Sequence, residues 1–199
     1  MTTIVVVRKN GEAVIGADTL GTYGDQRESA TYIKNASKLI QVGDTWLAVT
    51  GHAALDMILR GVFAGKKSRG APRYGFHSID EILHTGLSLH RLLKEDYFLN
   101  TDEDDDDSFE SSRMNVLIAN PSGIFGLCAR RTVFEYTQFY AFGSGEQYAL
   151  GAMHARYDSN ASAEAIARAG LEAAVSFDTG TGAPLEIQKI KLKTRKSAR

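Results

Sequence analysis

A chain of 199 residues, 43% of them hydrophobic and 24% charged, is long enough to bury one sizeable core and polar enough to remain in water. Its formal net charge of −1 gives no reason to expect nucleic acid or a membrane surface as a partner. A single cysteine, Cys128, excludes an internal disulfide framework, and no run approaches the roughly 18–20 apolar residues of a membrane span.

In chain order, Met1-Thr2-Thr3 comes first, ahead of the strand-like run Ile4-Val5-Val6-Val7. No basic segment followed by an apolar one marks a leader, so a cytoplasmic protein is expected. Removal of Met1 would leave Thr2 with both a hydroxyl and a free α-amine, a nucleophile and its own general base on one residue. Lys9-Asn10-Gly11-Glu12 predicts a type I′ hairpin, because Asn-Gly tolerates the positive φ angles of that turn. A two-residue loop pairs Val7 with Val14, Ile4 with Ala17 and Thr3 with Asp18. Alternation puts Asp18 on Thr3's side rather than Thr2's, so it would act by orienting the backbone or a third, cationic group.

A second hairpin is expected from Ser37–Val42 and Thr45–Thr50 around Gly43-Asp44. Its register places Lys38 opposite Val49, with Gly51 just beyond. A lysine among apolar strand residues is costly without a carboxylate, and Asp18 could supply one. Lys34 is the competing lysine, but it falls opposite Ala53, where a helix is expected to have begun.

Helical spacing follows at Leu55, Ile58, Leu59, Val62 and Phe63. Ser78-Ile79-Asp80-Glu81 is a capping box, opening a helix expected to bury Ile79, Ile82, Leu83, Leu87 and Leu93 on one side. His84 and His90 on that helix are too far apart for an i,i+4 metal pair. The stretch 101–112 contains the acidic run Asp102–Asp107 and reads as a solvated loop inserted before the strand Met114–Ala119. Cys128 ends a segment read as a buried strand and therefore as an inert thiol. A third helix is marked by Leu150 and Met153, and a fourth by Ile166, Gly170, Ala173, Ala174 and Phe177, starting at Ser162. Residues 189–199 form a basic tail. Paired helices between antiparallel strand pairs predict an α+β fold, a single domain over 1–199 built as a four-layer αββα sandwich.

Six segments stand in a telling order: Thr2-Thr3-Ile4-Val5, Gly16-Ala17-Asp18-Thr19-Leu20-Gly21-Thr22, Ala36-Ser37-Lys38-Leu39-Ile40, Thr50-Gly51-His52-Ala53-Ala54, and the later pair Phe142-Gly143-Ser144-Gly145 and Asp178-Thr179-Gly180-Thr181-Gly182. This order resembles the proteasome β-type subunits and the HslV-type peptidase, N-terminal nucleophile hydrolases. The resemblance implies Thr2 as nucleophile, Asp18 as orienting carboxylate, Lys38 as the cation beside the nucleophile and the Gly51 amide as oxyanion donor. It implies Ser144, Asp178 and Thr181 around the terminal amine, with threonine standing where the family usually has serine. Thr22 matches a residue whose backbone pairs with bound peptide. Ala36, Ile40, Val49 and Ala53 match the lining of the specificity pocket; all are apolar, which implies cleavage after hydrophobic residues. His52 stands where a second glycine is usual, and either narrows the site or caps the helix.

The expected activity is thus a self-compartmentalising threonine endopeptidase acting on unfolded polypeptides, needing no metal or cofactor. Its expected partners are other copies of itself, in two stacked rings of six or seven, and an ATPase or other activator that the residues do not identify. Two alternatives stand beside it: a catalytically silent ring scaffold, favoured if Met1 persists, and an N-terminal nucleophile amidase acting on small molecules.

Overall fold

Asn10 and Gly11 turn the chain with φ angles of 51° and 79°, the left-handed pair that a type I′ hairpin requires. The turn joins β1 (Thr3–Lys9) to β2 (Glu12–Asp18) in the expected register, Ile4 against Ala17 and Val7 against Val14. The computed structural model describes residues 1–65, 74–102 and 108–194. Most of the acidic run (103–107) and Arg195, Lys196 and Arg199 of the basic tail lie outside the described residues.

After β2 come the short hairpin β3 (Gly21–Tyr23) and β4 (Gln26–Glu28), then β5 (Leu39–Val42) and β6 (Thr45–Gly51). Gly43 supplies a positive φ of 62° at their turn, and Leu39 faces Ala48, the register read from the sequence. Two helices follow, α1 (Ala53–Ala64) and α2 (Ile79–Asp96), then three antiparallel strands, β7 (Met114–Asn120), β8 (Gly123–Leu127) and β9 (Val133–Tyr136). The chain ends with β10 (Phe139–Gly143), α3 (Glu146–Tyr157), α4 (Ala163–Phe177) and β11 (Leu185–Lys191).

The strands form two large sheets, β10-β1-β2-β11 and β5-β6-β7-β8-β9. Three apolar clusters show how they stack. Val5, Val7 and Val14 pack under Met153, Ile166 and Leu171 of α3 and α4. Ile4, Val6 and Ile15 meet Leu39, Leu117 and Ile124 between the sheets. Leu47, Val116 and Ile118 pack under Leu55, Leu59, Ile82 and Leu89 of α1 and α2. The strict alternation of β1 thus feeds two different cores, and the result is the expected four-layer αββα sandwich. Each fully buried aliphatic side chain contributes on the order of 1.5–3 kcal/mol.

Two expectations need correction. Helix α2 buries Ile82, Thr85, Gly86, Leu89 and Leu93, whereas Ile79, Leu83 and Leu87 face outward. The small Gly86 decides this: a Cβ there would lie 3.0 Å from a methyl of Leu127, so only this face lets α2 sit down on β8. The basic tail begins later than expected, because Lys189 and Lys191 lie within β11, paired with Val14 and Glu12 of β2. The caps follow the sequence: Ser78 Oγ accepts the Glu81 amide, and Ser162 Oγ accepts the Ala165 amide.

Candidate active site

Asp18 is fully buried at the end of β2, where the β1–β2 register delivers it beside the start of the chain. Its Oδ1 accepts the Thr3 amide at 3.0 Å and the Lys38 ammonium at 2.7 Å. Its Oδ2 accepts the amides of Leu20 at 3.0 Å and Gly182 at 3.1 Å. Four donors satisfy one buried carboxylate, the condition under which a charge is tolerated inside a protein. Asp18 therefore does what its position on Thr3's side implied: it fixes the opening backbone and holds a cation.

That cation is Lys38. Its Nζ also donates to the Leu20 carbonyl at 2.7 Å. Burial pulls its pKa below the ordinary lysine value, against the opposing attraction of Asp18 and, more weakly, of Asp178 and Asp56. Lys34 is exposed in the preceding turn region.

On the other side of Thr2, a directed chain of hydrogen bonds starts at its nitrogen. The Thr2 N–H donates to Ser144 Oγ at 3.4 Å, and Ser144 Oγ donates to Asp178 Oδ2 at 2.6 Å. Thr181 Oγ1 donates to the same oxygen at 2.5 Å. Burial by itself would raise the Asp178 pKa; hydrogen bonds from Ser144, Thr181 and the Gly180 amide, with the nearby charge of the Met1 amine, outweigh it and hold the carboxyl below its ordinary value. Thr181 sits one step further from Thr2 than expected. Its hydroxyl lies 2.6 Å from Thr3 Oγ1, so it braces the second residue of the pair.

Glycines make the close approach possible. Gly143 has φ 110°, and a Cβ there would overlap the Thr2 carbonyl oxygen; a Cβ on Gly145 would overlap Thr3 Oγ1. With both flanks bare, the Ser144 amide bonds the Thr2 carbonyl at 2.9 Å. The glycines bracketing Ser144 and the fully buried Thr3 belong to the site, although the sequence reading assigned them no role. The Gly-Ser-Gly spacing carried a signal for the former, whereas a buried hydroxyl such as Thr3's has none.

Thr2, Lys38 and Gly51 line one cavity of about 460 Å³, together with Thr22 of β3 and with Ala36, Val49 and Ala53. Ile40 is not in this lining; it is buried in the core beneath α1 and α2. Charged and polar groups join the apolar ones, among them Glu28 on β4, Asp56 on α1, Asn35, Thr50 and His52. His52 caps α1, its Nδ1 accepting the Ala54 amide at 3.2 Å, and stands at the cavity wall as well. Gly51, at φ 136°, closes β6 where a Cβ would come within 2.7 Å of the Arg113 carbonyl oxygen. Met1 also lines the cavity, its side chain packed against Gly180. Cys128 is half-buried and its thiol is pushed up by burial, away from thiolate chemistry. Among the described residues no helix is long and apolar enough to cross a membrane.

No family model matches the chain. The solved structure of Thiobacillus denitrificans BPH is 46% identical, with a TM-score of 0.89 over 96% of this chain and 99% of that one. The same protein in complex with epoxomicin is 45% identical, with a TM-score of 0.88 over 97% of this chain and 100% of that one. HslV from Trypanosoma brucei, at 19% identity and a TM-score of 0.66 over 96% of this chain and 99% of that one, shares the fold. A proteasome subunit beta of Nanoarchaeum equitans (strain Kin4-M) is 24% identical over 198 residues, 96% of this chain and 93% of its own.

Proposed function

Since the chain belongs to the proteasome β-type and HslV-like family, we propose that it is a threonine endopeptidase subunit with Thr2 as its nucleophile after loss of Met1. One observation carries the reading: the Thr2 nitrogen is the head of a hydrogen-bond chain through Ser144 to Asp178. Once Met1 is cleaved that nitrogen becomes a primary amine. Its ordinary pKa of about 7.7–8.0 suits a general base near neutral pH.

The amine takes the Thr2 hydroxyl proton as Oγ attacks the substrate carbonyl. The Lys38 ammonium, held by Asp18, favours the developing alkoxide, and the Gly51 amide receives the oxyanion. The peptide C–N bond breaks, the proton passes to the leaving amine, and an ester to Thr2 remains. Water activated by the same amine then hydrolyses it and restores the hydroxyl. The residues required are all in the chain.

The substrate proposed is an unfolded polypeptide laid beside Thr22 of β3 as an added strand. Val49, Ala53 and Met57 at the cavity wall favour a hydrophobic residue before the cut. The proposed working form is a cytoplasmic homo-oligomer of two stacked rings with six or seven subunits each, a single domain per chain, opened by an ATPase or another activator.

Fluorogenic peptides with hydrophobic residues before the reporter test this, with wild type against Thr2→Ala and intact mass recorded for both. Turnover that vanishes in Thr2→Ala, from a chain that has lost Met1, is the expected result. Equal turnover in both proteins overturns it, and a retained Met1 with no turnover assigns the chain to a silent scaffold.

A further inference from the structure

Lys38 lies just before β5, which begins at Leu39, so no strand ladder holds its own backbone. Two other elements do. Arg60 Nη2, on α1, donates to the Ser37 carbonyl at 2.6 Å and to the Leu39 carbonyl at 3.0 Å, the residues on either side of Lys38. The same guanidinium is fixed by Asp56 one turn earlier, Nε to Oδ2 at 2.7 Å and Nη2 to Oδ1 at 3.1 Å. From the opposite sheet, Glu186 on β11 accepts the Ser37 hydroxyl at 2.5 Å.

The geometry points to Arg60 as a positioning residue that acts through Lys38, setting the ammonium in place relative to Thr2 across the cavity. Helix α1 begins two residues after Gly51, so Arg60 ties the wall that carries the oxyanion donor to the segment that carries the cation. The planar fork is what makes this possible. It presents several donors at fixed angles, and here it reaches two carbonyls and one carboxylate at once. A lysine would keep the charge but reach only part of this set.

Lys38 has a reason to need such a brace. Its ammonium is removed from most of its water and is offset by Asp18, with Asp178 and Asp56 further off. An unbraced segment would let that side chain swing towards solvent, which regains hydration at the expense of its place beside the nucleophile. Asp56 thus has two tasks, as partner of Arg60 and as a distant counter-charge to Lys38.

The inference rests on the peptidase reading, and its test is chosen to separate the two. Arg60→Lys and Arg60→Gln are made in the full chain, and assembly is checked by elution and mass. The first readout is the pH dependence of trace acetylation of Lys38 by acetic anhydride, followed by peptide mass spectrometry, which needs no catalytic activity. In Arg60→Lys the midpoint moves up towards the ordinary lysine value and the plateau reactivity rises. The second readout is peptide turnover, where kcat falls about 10-fold while KM changes less than about 3-fold.

Arg60→Lys matching wild type in midpoint and plateau overturns the inference, because a purely electrostatic role survives that exchange. Loss of the assembled protein in both Arg60→Lys and Asp56→Asn overturns it too, by assigning the pair to fold stability. Wild type with no Thr2-dependent turnover sinks the peptidase reading alone, and the Lys38 titration still decides the role of Arg60.

Discussion

Lys38 Nζ lies 2.7 Å from Oδ1 of Asp18, and that carboxylate is wholly removed from solvent. Breaking such a pair by changing one partner strands the other charge. Asp18→Asn is therefore expected to lower stability by about 3–5 kcal/mol, seen in urea or thermal midpoints. It is also expected to abolish peptide turnover, since the Thr3 amide and Lys38 lose a common anchor. A fully stable, active Asp18→Asn would contradict this account of the site.

Thr2 tests the nucleophile with its own chemistry. Thr2→Ser keeps a hydroxyl on the α-amine residue and is expected to retain turnover, reduced roughly 10-fold or less by a freer side chain. Thr2→Ala is expected to show none. Single-turnover assays of both proteins, with removal of Met1 confirmed by intact mass, make the comparison.

Asp178 gives the acid side of the pH profile. Its carboxyl is held below the ordinary value of about 3.9, so in the interval between the two values the unfolded chain binds more protons than the folded one. Stability from this group is present above the ordinary value and is lost as pH falls through the depressed one. Thermal midpoints of wild type should thus fall more steeply than those of Asp178→Asn below about pH 4. Identical slopes would remove Asp178 from the acid transition.

Gly51 joins a positive φ to a crowded Cβ direction. Gly51→Ala is expected to displace the end of β6 from the Arg113 carbonyl and misalign the amide proposed for the oxyanion. The loss in kcat is on the order of 10²–10³-fold, with KM changed far less. Steady-state kinetics on a hydrophobic fluorogenic peptide reads both numbers, and an unchanged kcat would exclude the role.

Local rules carried the sequence a long way. Asn10-Gly11 and Gly43-Asp44 fixed two hairpin registers, and those registers brought Asp18 to Thr3 and separated Lys38 from Lys34. Helix α2 was less legible because it carries apolar residues on two sides. Which side is covered depends on Gly86 meeting Leu127, a contact between elements distant in the chain. The same holds for Ile40, which follows the cavity-lining Lys38 by two residues yet points to the core, and for the Thr3–Thr181 contact, across 178 positions. Arg60 left only its i,i+4 pairing with Asp56 as a local trace, since its partners at Ser37 and Leu39 are main-chain oxygens that no residue type announces.

In the sheet order β10-β1-β2-β11, the strand that follows Thr2 is interior, with the late strand β10 as one neighbour. The Thr2 carbonyl finds its partner in the Ser144 amide, and Asp178 arrives only after α4. The residues around Thr2 thus acquire their surroundings only once β10 and the segment after α4 have docked. Without those distant segments Thr2 would stand with no relay behind its nitrogen, so completing the fold and completing the site are a single event.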